Sequence, residues 1–114
     1  MISIALKESE KSKERTRHGA IIVSGGRVLS RGHNTNRSHP KWGSGPLGTI
    51  HAEADAIRQA IAKGINLKGS TIYVARTGSQ MSRPCKNCQK LIRKYEIRKM
   101  VYTDGGKIVS EWPP

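Results

Sequence analysis

The sequence predicts an α/β domain in which helices pack on one mixed five-stranded sheet. Helical and strand-like patterns alternate along the 114 residues, in the order helix, two strands, helix, strand, helix, two strands, and such alternation is typical of layered α/β domains. Two glycine-rich turns, at residues 25–26 and 104–106, each join two apolar stretches, as in a β-hairpin. The length suits a single domain over residues 1–114.

The first third of the chain predicts a helix, a hairpin and a loop. Residues 2–15 combine a few apolar positions with many charges, which is typical of an amphipathic helix. The apolar stretches Ala20–Val23 and Val28–Leu29 lie on either side of the Gly25–Gly26 turn and predict a hairpin. Residues 35–49 are rich in Gly, Ser and Pro and predict a long loop.

The middle of the chain predicts the strongest helix and a strand after it. Apolar residues recur at helical spacing over residues 50–64, Thr49 is a candidate N-terminal cap, and Gly64 can end the helix. Alternation over residues 70–76 predicts a strand. We therefore expect the strands on either side of this helix to run parallel.

The last third predicts a helix and two strands. Residues 85–95 predict a helix that Pro84 would open at its first turn. Residues 97–103 and 107–112 predict strands. Because the turn between them is too short for a crossover, we expect these C-terminal strands to form an antiparallel hairpin.

The charge of the chain favours an anionic partner. Lys and Arg total 21 against 8 Asp and Glu, which gives a formal charge of +13. Nucleotide phosphates and nucleic acid are such partners, although a basic surface can also serve solubility alone. No apolar stretch reaches the roughly 18 residues of a membrane span, and the apolar N-terminal stretch is too short for a secretory signal. We therefore expect a cytoplasmic protein without membrane contact.

The only two cysteines, Cys85 and Cys88, lie three residues apart directly after Pro84. A structural disulfide, a redox dithiol and half of a metal site are the three interpretations. A reducing cytosol disfavours the structural disulfide. Redox dithiols of this spacing usually follow an early strand, whereas this pair lies late in the chain. The pair alone does not decide between the last two interpretations.

The stretch His51-Ala52-Glu53 favours the metal site. His51 and Glu53 lie in the first turn of one predicted helix, and Cys85 and Cys88 lie in the first turn of the next. In the predicted topology, both helices start at the same edge of the sheet. His51, Cys85 and Cys88 would then converge there, and one imidazole with two thiolates is a ligand set of catalytic zinc. Glu53 follows His51 by two residues and could reach a zinc-bound water without being a ligand. The sequence therefore predicts a zinc site with a carboxylate beside it.

H-x-E followed by P-C-x-x-C resembles the signature of the zinc-dependent cytidine and deoxycytidylate deaminase superfamily. The resemblance covers about Gly19 to Glu111, and it implies the three-layer fold of that superfamily. It implies that His51, Cys85 and Cys88 bind zinc and that Glu53 transfers protons. It also implies that Zn²⁺ is the cofactor, that the reaction is hydrolytic deamination, and that the chain forms a homo-oligomer.

Three further residues are candidate substrate contacts. By the resemblance, Asn34 contacts the sugar or base and the Ala52 N–H meets the carbonyl of the base; the alternative for Asn34 is a turn asparagine that satisfies nearby backbone. Trp42 lies among basic residues and is a candidate stacking surface for a base. Its alternative is a loop tryptophan that covers the edge of the core.

The identity of the substrate stays open between several classes. The superfamily signature occurs in deaminases of cytosine and of adenine, and we favour cytosine on a nucleoside or mononucleotide. Single-stranded DNA or RNA ranks second, because stacking aromatics are scarce and Phe is absent. A non-catalytic, zinc-stabilised nucleic-acid-binding module is the alternative of another class. Glu53 argues against this module, because a purely structural zinc site needs no carboxylate beside its ligands.

Overall fold

The structure is a computed structural model that describes residues 1–14, 16–38, 49–79 and 81–112. Its helices and strands follow the predicted alternation. In chain order they are α1 (Ile2–Ser9), β1 (His18–Ser24), β2 (Arg27–His33), β3 (Thr35–Ser38), β4 (Thr49–Ile50), α2 (Ala52–Ala62), β5 (Thr71–Arg76), α3 (Lys86–Lys94), β6 (Lys99–Asp104) and β7 (Lys107–Glu111).

Five strands form a mixed sheet in the order β2-β1-β5-β6-β7. Strand β1 is antiparallel to both β2 and β5, so β2 and β5 run in the same direction on either side of it. Strands β5 and β6 pair in parallel, and β6 and β7 form an antiparallel hairpin. The predicted mixed five-stranded sheet, parallel crossovers and C-terminal hairpin are confirmed.

Helices cover both faces of this sheet, because the side chains of each strand alternate between two apolar clusters. Helix α1 packs on one face, where Ala5 meets Ile21, Val23 and Ala75. Helices α2 and α3 pack on the other face, and their buried residues join Ala20, Ile22, Ile72, Val74, Met100 and Tyr102. The three-layer arrangement predicted from the resemblance is confirmed.

The two glycine turns have the backbone that hairpins need. Gly25 and Gly26 have φ of 56° and 78°, and Gly105 and Gly106 have φ of 57° and 87°. Two consecutive residues with positive φ match the right-handed twist of the flanking strands, and glycine adopts this conformation without a steric penalty. Both predicted hairpins form at these turns.

Two predictions about the N-terminal third were wrong. The first helix ends at Ser9 rather than at residue 15, because the hydroxyl group of Ser12 bonds to backbone groups outside the helix. Ser12 donates to the Asn34 carbonyl oxygen at 3.0 Å and accepts the Glu14 N–H at 3.2 Å, and such bonds compete with helix formation. The predicted loop of residues 35–49 contains β3, which pairs with β4.

Two predicted helix starts also differ from the structure. Helix α2 begins at Ala52 with His51 as its N-cap, so Thr49 is not the cap; Ile50 instead pairs with Thr35 in the small sheet. Helix α3 has Cys85 as its N-cap. Pro84 therefore lies just before the helix and not in its first turn.

Strand β2 fixes the position of α2 by direct contact. A Cβ on Gly32 would lie 2.4 Å from the Ala56 nitrogen and 2.6 Å from the Ala52 oxygen, so only glycine allows this approach. Asp55, which is 2% exposed, accepts the His33 N–H through Oδ2 at 3.1 Å. The first turns of α2 are thereby held at the carboxyl end of β2.

No helix within the described ranges is both long enough and apolar enough to cross a lipid bilayer.

Candidate active site

The candidate site lies where α2 and α3 begin, at the end of the sheet where β2 and β5 finish. His51 and Cys85 are the two N-caps, and both have extended backbone, with φ/ψ of −79°/160° and −68°/169°. Cys88 follows Cys85 by three residues and therefore lies in the first turn of α3. Because both helices start at the same edge of the sheet, His51 lies near Cys85 and Cys88, which are distant from it in sequence.

His51, Cys85 and Cys88 form a compact cluster. The Nδ1 atom of His51 lies 3.6 Å from the Cys85 sulfur and 3.4 Å from the Cys88 sulfur, and the three donor atoms lie within 4.8 Å of one another. Cys85 and Cys88 do not form a disulfide; Cys85 is exposed and Cys88 is buried. One imidazole and two sulfurs at this separation can surround a zinc ion, which binds nitrogen at about 2.0 Å and sulfur at about 2.3 Å.

The cluster favours the thiolate form that a metal needs. A hydrogen bond with Cys88 and the neighbouring His51 lower the pKa of Cys85 to about 5, against an opposing effect of burial. At neutral pH the Cys85 sulfur is therefore anionic. Thiolates are the form in which cysteine binds metals, so the donor set fits zinc.

Glu53 lies in the first turn of α2 and is 5% exposed. Burial raises the pKa of its carboxyl group, and the Cys85 thiolate adds to this effect; the charge of His51 and a hydrogen bond with Cys88 oppose it. The carboxyl group is therefore next to the cluster, while the metal-holding set found among the described residues consists of His51, Cys85 and Cys88. The role of this carboxyl group beside the ligands stays a prediction.

A cavity of about 470 Å³ opens onto the cluster. This volume is within the range of small-molecule sites. The cavity is lined by Glu14, Thr16, His18, Asn34, Thr35, Ile50, His51, Glu53, Ser82, Arg83 and Cys85.

The three predicted substrate contacts differ in what the structure says of them. Asn34 lines the cavity, but its Oδ1 accepts the His18 N–H at 2.9 Å and its Nδ2 donates to the Thr16 carbonyl at 2.7 Å. Its amide therefore also holds the chain that enters β1. Ala52 is buried at the first position of α2, where backbone N–H groups have no acceptor within the helix. Trp42 lies outside the described residues.

Sequence reasoning missed Ser82, which anchors the segment before Cys85. Ser82 is 3% exposed. Its N–H donates to the Thr103 carbonyl at 2.8 Å, and its hydroxyl donates to the Val74 carbonyl and accepts the Thr103 N–H, both at 2.8 Å. The ends of β5 and β6 therefore fix the chain three residues before a donor sulfur.

Arg83 and His18 were also missed. Arg83 contacts Glu111 of β7 through two bonds, Nε to Oε2 at 2.5 Å and Nη2 to Oε1 at 2.9 Å, and Tyr102 donates to the same carboxylate at 2.7 Å. Burial and the charges of Arg76 and His51 lower the pKa of His18 to about 4, so its imidazole is neutral. Neither residue belongs to a sequence pattern that would have indicated a place in the cavity.

The chain matches known deaminases in sequence and in fold. Residues 1–104 match the model of the cytidine and deoxycytidylate deaminase zinc-binding region. The chain is 35% identical over 77 residues to the deoxycytidylate deaminase of Enterobacteria phage T2, a match that covers 68% of this chain and 36% of the phage protein. The chain therefore spans only about a third of the length of that relative.

Two solved structures share the fold. Cytidine deaminase from Burkholderia pseudomallei has a TM-score of 0.76 and 22% identity, with 98% of this chain and 89% of that chain covered. The dCMP deaminase from cyanophage S-TIM5, in complex with dCMP and dUMP, has a TM-score of 0.68 and 24% identity, with coverages of 87% and 74%. At these identities the likeness establishes the three-layer fold.

The family match and the cluster together confirm two predictions, the resemblance and the zinc cofactor. The matched region is a zinc-binding one, and the cluster supplies the imidazole and two sulfurs that zinc takes. The match extends over the first 104 of 114 residues and includes every element from α1 to β6. The chain therefore belongs to the zinc-binding cytidine and deoxycytidylate deaminase family.

Proposed function

We propose that this chain is a zinc-dependent deaminase that converts the cytosine of a nucleoside or nucleotide to uracil and releases ammonia. The observation that carries the proposal is Glu53, a buried carboxylate that lines the cavity two residues from His51 and beside the donor cluster. A zinc site that served folding alone would need no such group.

His51, Cys85 and Cys88 would hold the zinc ion. When bound, zinc supplies Lewis acidity, which makes a water molecule nucleophilic near neutral pH. Cys88 is fully buried and would hold the ion from the protein interior, whereas His51 and Cys85 line the cavity. The reacting water would therefore lie on the cavity side, within reach of Glu53.

Glu53 would move the protons of the reaction. It accepts a proton from the attacking water and delivers it to the ring nitrogen next to the carbon that bears the amine. The water oxygen then forms its bond to that carbon. The remaining proton of this oxygen passes through Glu53 to the amine, and the carbon–nitrogen bond breaks as the carbonyl group forms. Ammonia leaves, and the carboxylate returns to its starting state. One group can act as base and then as acid, because the transfers occur in sequence.

Ala52 and Asn34 would orient the base and sugar. The Ala52 N–H lies at the start of α2, between His51 and Glu53, and would donate to the carbonyl of the base. Asn34 Nδ2 has two N–H groups and gives one to Thr16, so the other is available for the substrate. Trp42 stays a prediction as a stacking surface.

The comparisons favour cytosine over adenine and a small substrate over a polynucleotide. The phage T2 relative is named a deoxycytidylate deaminase, and the cyanophage structure holds dCMP and dUMP. The cavity of about 470 Å³ is of a size for one nucleotide. These observations support a mononucleotide or nucleoside as the substrate.

Ammonia release by the zinc-loaded protein tests the proposal. The panel is cytidine, deoxycytidine, dCMP, adenosine, and single-stranded DNA and RNA. We expect turnover of at least one of the first three and none of adenosine. Faster turnover of DNA or RNA would move the substrate to the polynucleotide class. Zinc at about one ion per chain with no ammonia from any substrate would favour the non-catalytic module.

A further inference from the structure

Of the described residues that line the cavity, Arg83 is the one with a permanent positive charge. Among the described residues that line it, the other ionisable groups are the acids Glu14 and Glu53, the donors His51 and Cys85, and His18. The low pKa of His18, about 4, keeps that imidazole neutral at physiological pH. Among the described residues, an anionic part of a ligand in this cavity therefore has one fixed cation to meet, Arg83.

The position of Arg83 is set from both sides. Ser82, directly before it, is buried and bonded to Val74 and Thr103. The guanidinium group of Arg83 is held by Glu111. The hydroxyl group of Tyr102 donates to the same Glu111 carboxylate and orients it. A side chain fixed in this way loses little conformational freedom when a ligand binds.

The pair with Glu111 leaves one edge of the guanidinium group for another anion. Glu111 occupies the edge formed by Nε and Nη2. The end formed by Nη1 and the second N–H of Nη2 takes no part in that pair. Arg83 keeps 46% of its side-chain surface exposed, so a ligand in the cavity can reach part of this side chain. Planar forks of this kind bind phosphate through paired hydrogen bonds.

We propose that Arg83 binds the phosphate group of a nucleoside monophosphate and thereby makes the site prefer the nucleotide over the nucleoside. The inference rests on the proposed function and names the substrate class within it. Glu111 and Tyr102 act as positioning residues, because they orient Arg83 without contacting the substrate. The competing role for Arg83 is a purely structural link between β7 and the segment before Cys85.

Binding of the reaction products measures this role without turnover. The probes are dUMP and deoxyuridine, which differ only in the phosphate, titrated calorimetrically into the zinc-loaded protein. Wild type should bind dUMP more tightly than deoxyuridine. Arg83→Gln should weaken dUMP binding by roughly 10- to 100-fold, the effect of losing charged hydrogen bonds, and leave deoxyuridine within about twofold. Arg83→Lys keeps the positive charge without the planar fork, so its affinity for dUMP should lie between those of wild type and R83Q.

Arg27→Gln is the matched control. Arg27 is exposed at the start of β2 and does not line the cavity, so this variant removes the same charge from the same +13 chain. It should leave the affinities for both probes unchanged. An equal loss of dUMP binding in R27Q would mean that the overall charge, and not Arg83, attracts the phosphate, and would overturn the inference.

Kinetics separate a failure of this inference from a failure of the proposed function. With dCMP and deoxycytidine as substrates, R83Q should raise KM for dCMP alone, with kcat and zinc content unchanged. Equal effects on both substrates would assign Arg83 the structural role and overturn the inference, as would wild type that binds dUMP no better than deoxyuridine. Absence of ammonia from dCMP, deoxycytidine and cytidine alike contradicts the proposed function instead, and the product titrations then still decide the role of Arg83.

Discussion

Glu53 and Cys88 are neighbours in the site, yet their removal should separate chemistry from metal binding. Glu53→Gln keeps the size of the side chain and removes the proton acceptor. We expect the variant to retain about one zinc ion per chain and to lose roughly 10²–10⁴-fold in kcat, the usual contribution of a general acid–base group. Metal analysis and ammonia release measure the two quantities. Loss of zinc together with activity would contradict the role of Glu53 as a residue that does not bind the metal.

Cys88→Ser should remove both the metal and part of the stability. Cys88 is fully buried against the other two donors, and a ligand that binds only the folded state raises the unfolding temperature. The variant should purify with less than one zinc ion per chain and with a lower Tm. A chelator should lower the Tm of wild type and leave that of C88S unchanged. Equal responses of the two proteins to chelator would argue against Cys88 as a ligand.

Helix placement rather than helix formation decides whether the donors meet. Gly32→Ala should destabilise the protein by about 1–3 kcal/mol, because the new methyl group meets backbone atoms of α2 that cannot move alone. It should also weaken zinc binding, since it displaces the turn that follows His51. Urea unfolding and competition with a chromophoric chelator measure the two effects.

Gly19→Ala is the comparison for this variant. A Cβ on Gly19 would lie 2.2 Å from the Ala5 oxygen of α1, so the clash is similar but involves the helix on the other face. We expect a similar loss of stability with zinc affinity retained. Equal loss of zinc affinity in both variants would mean that general destabilisation, and not the displacement of α2, weakens the site.

The contact between β7 and the segment before Cys85 should respond to acid. The hydrogen bond with Arg83, and to a smaller extent the hydrogen bond with Tyr102, lowers the pKa of Glu111 to about 2 from its usual value near 4.5. A depressed pKa in the folded state stabilises the fold above about pH 4.5, and this stabilisation is lost as the pH falls towards 2. Glu111→Gln should therefore lower the Tm by a few degrees at most at pH 6, because the pair is partly exposed. The difference from wild type should vanish near pH 2; a difference independent of pH would exclude the charge as its cause.

The elements that sequence predicted well were those with local signals. Glycine turns and the apolar periodicity of residues 50–64 depend on neighbours in sequence, and both gave the right elements. Strand β3 has no apolar alternation and forms because it pairs with Thr49–Ile50, so no local pattern indicates it. The first helix ends early because Ser12 bonds to Asn34, 22 residues away, which is also a distant contact.

The candidate site shows the same division. His51, Glu53, Cys85 and Cys88 carry the chemistry in their residue types and spacing, so the sequence indicated them, and the structure brings them together. Ser82 and Arg83 act through partners on β6 and β7. A serine and an arginine in a basic chain have no distinctive pattern, so their part in the cavity became visible only in the fold.

The high net charge of the molecule should have little effect on catalysis if the substrate is small. Between 50 and 200 mM salt, we expect KM for the best substrate to rise by less than about tenfold, because a single phosphate releases few counterions. A polynucleotide held by many of the 21 basic side chains would lose roughly 10³-fold or more in affinity over the same range. KM measured at several salt concentrations decides between the two. A steep slope would place single-stranded nucleic acid first.

The separation of the donors along the chain gives the metal a topological role. His51 and Cys88 are 37 positions apart, and α2, β5 and the segment that carries Ser82 all lie between them. A zinc ion held at both ends would close this stretch into a ring. By the chain-entropy argument used for cross-links, a ring of this size lowers the conformational entropy of the unfolded chain. The folded state is thereby stabilised by about 4 kcal/mol relative to the unfolded chain. Helix α2 and strand β5, which lie within the ring, would then unfold as one unit. Helix α1 and strand β7 lie outside the ring and would detach without releasing the ion.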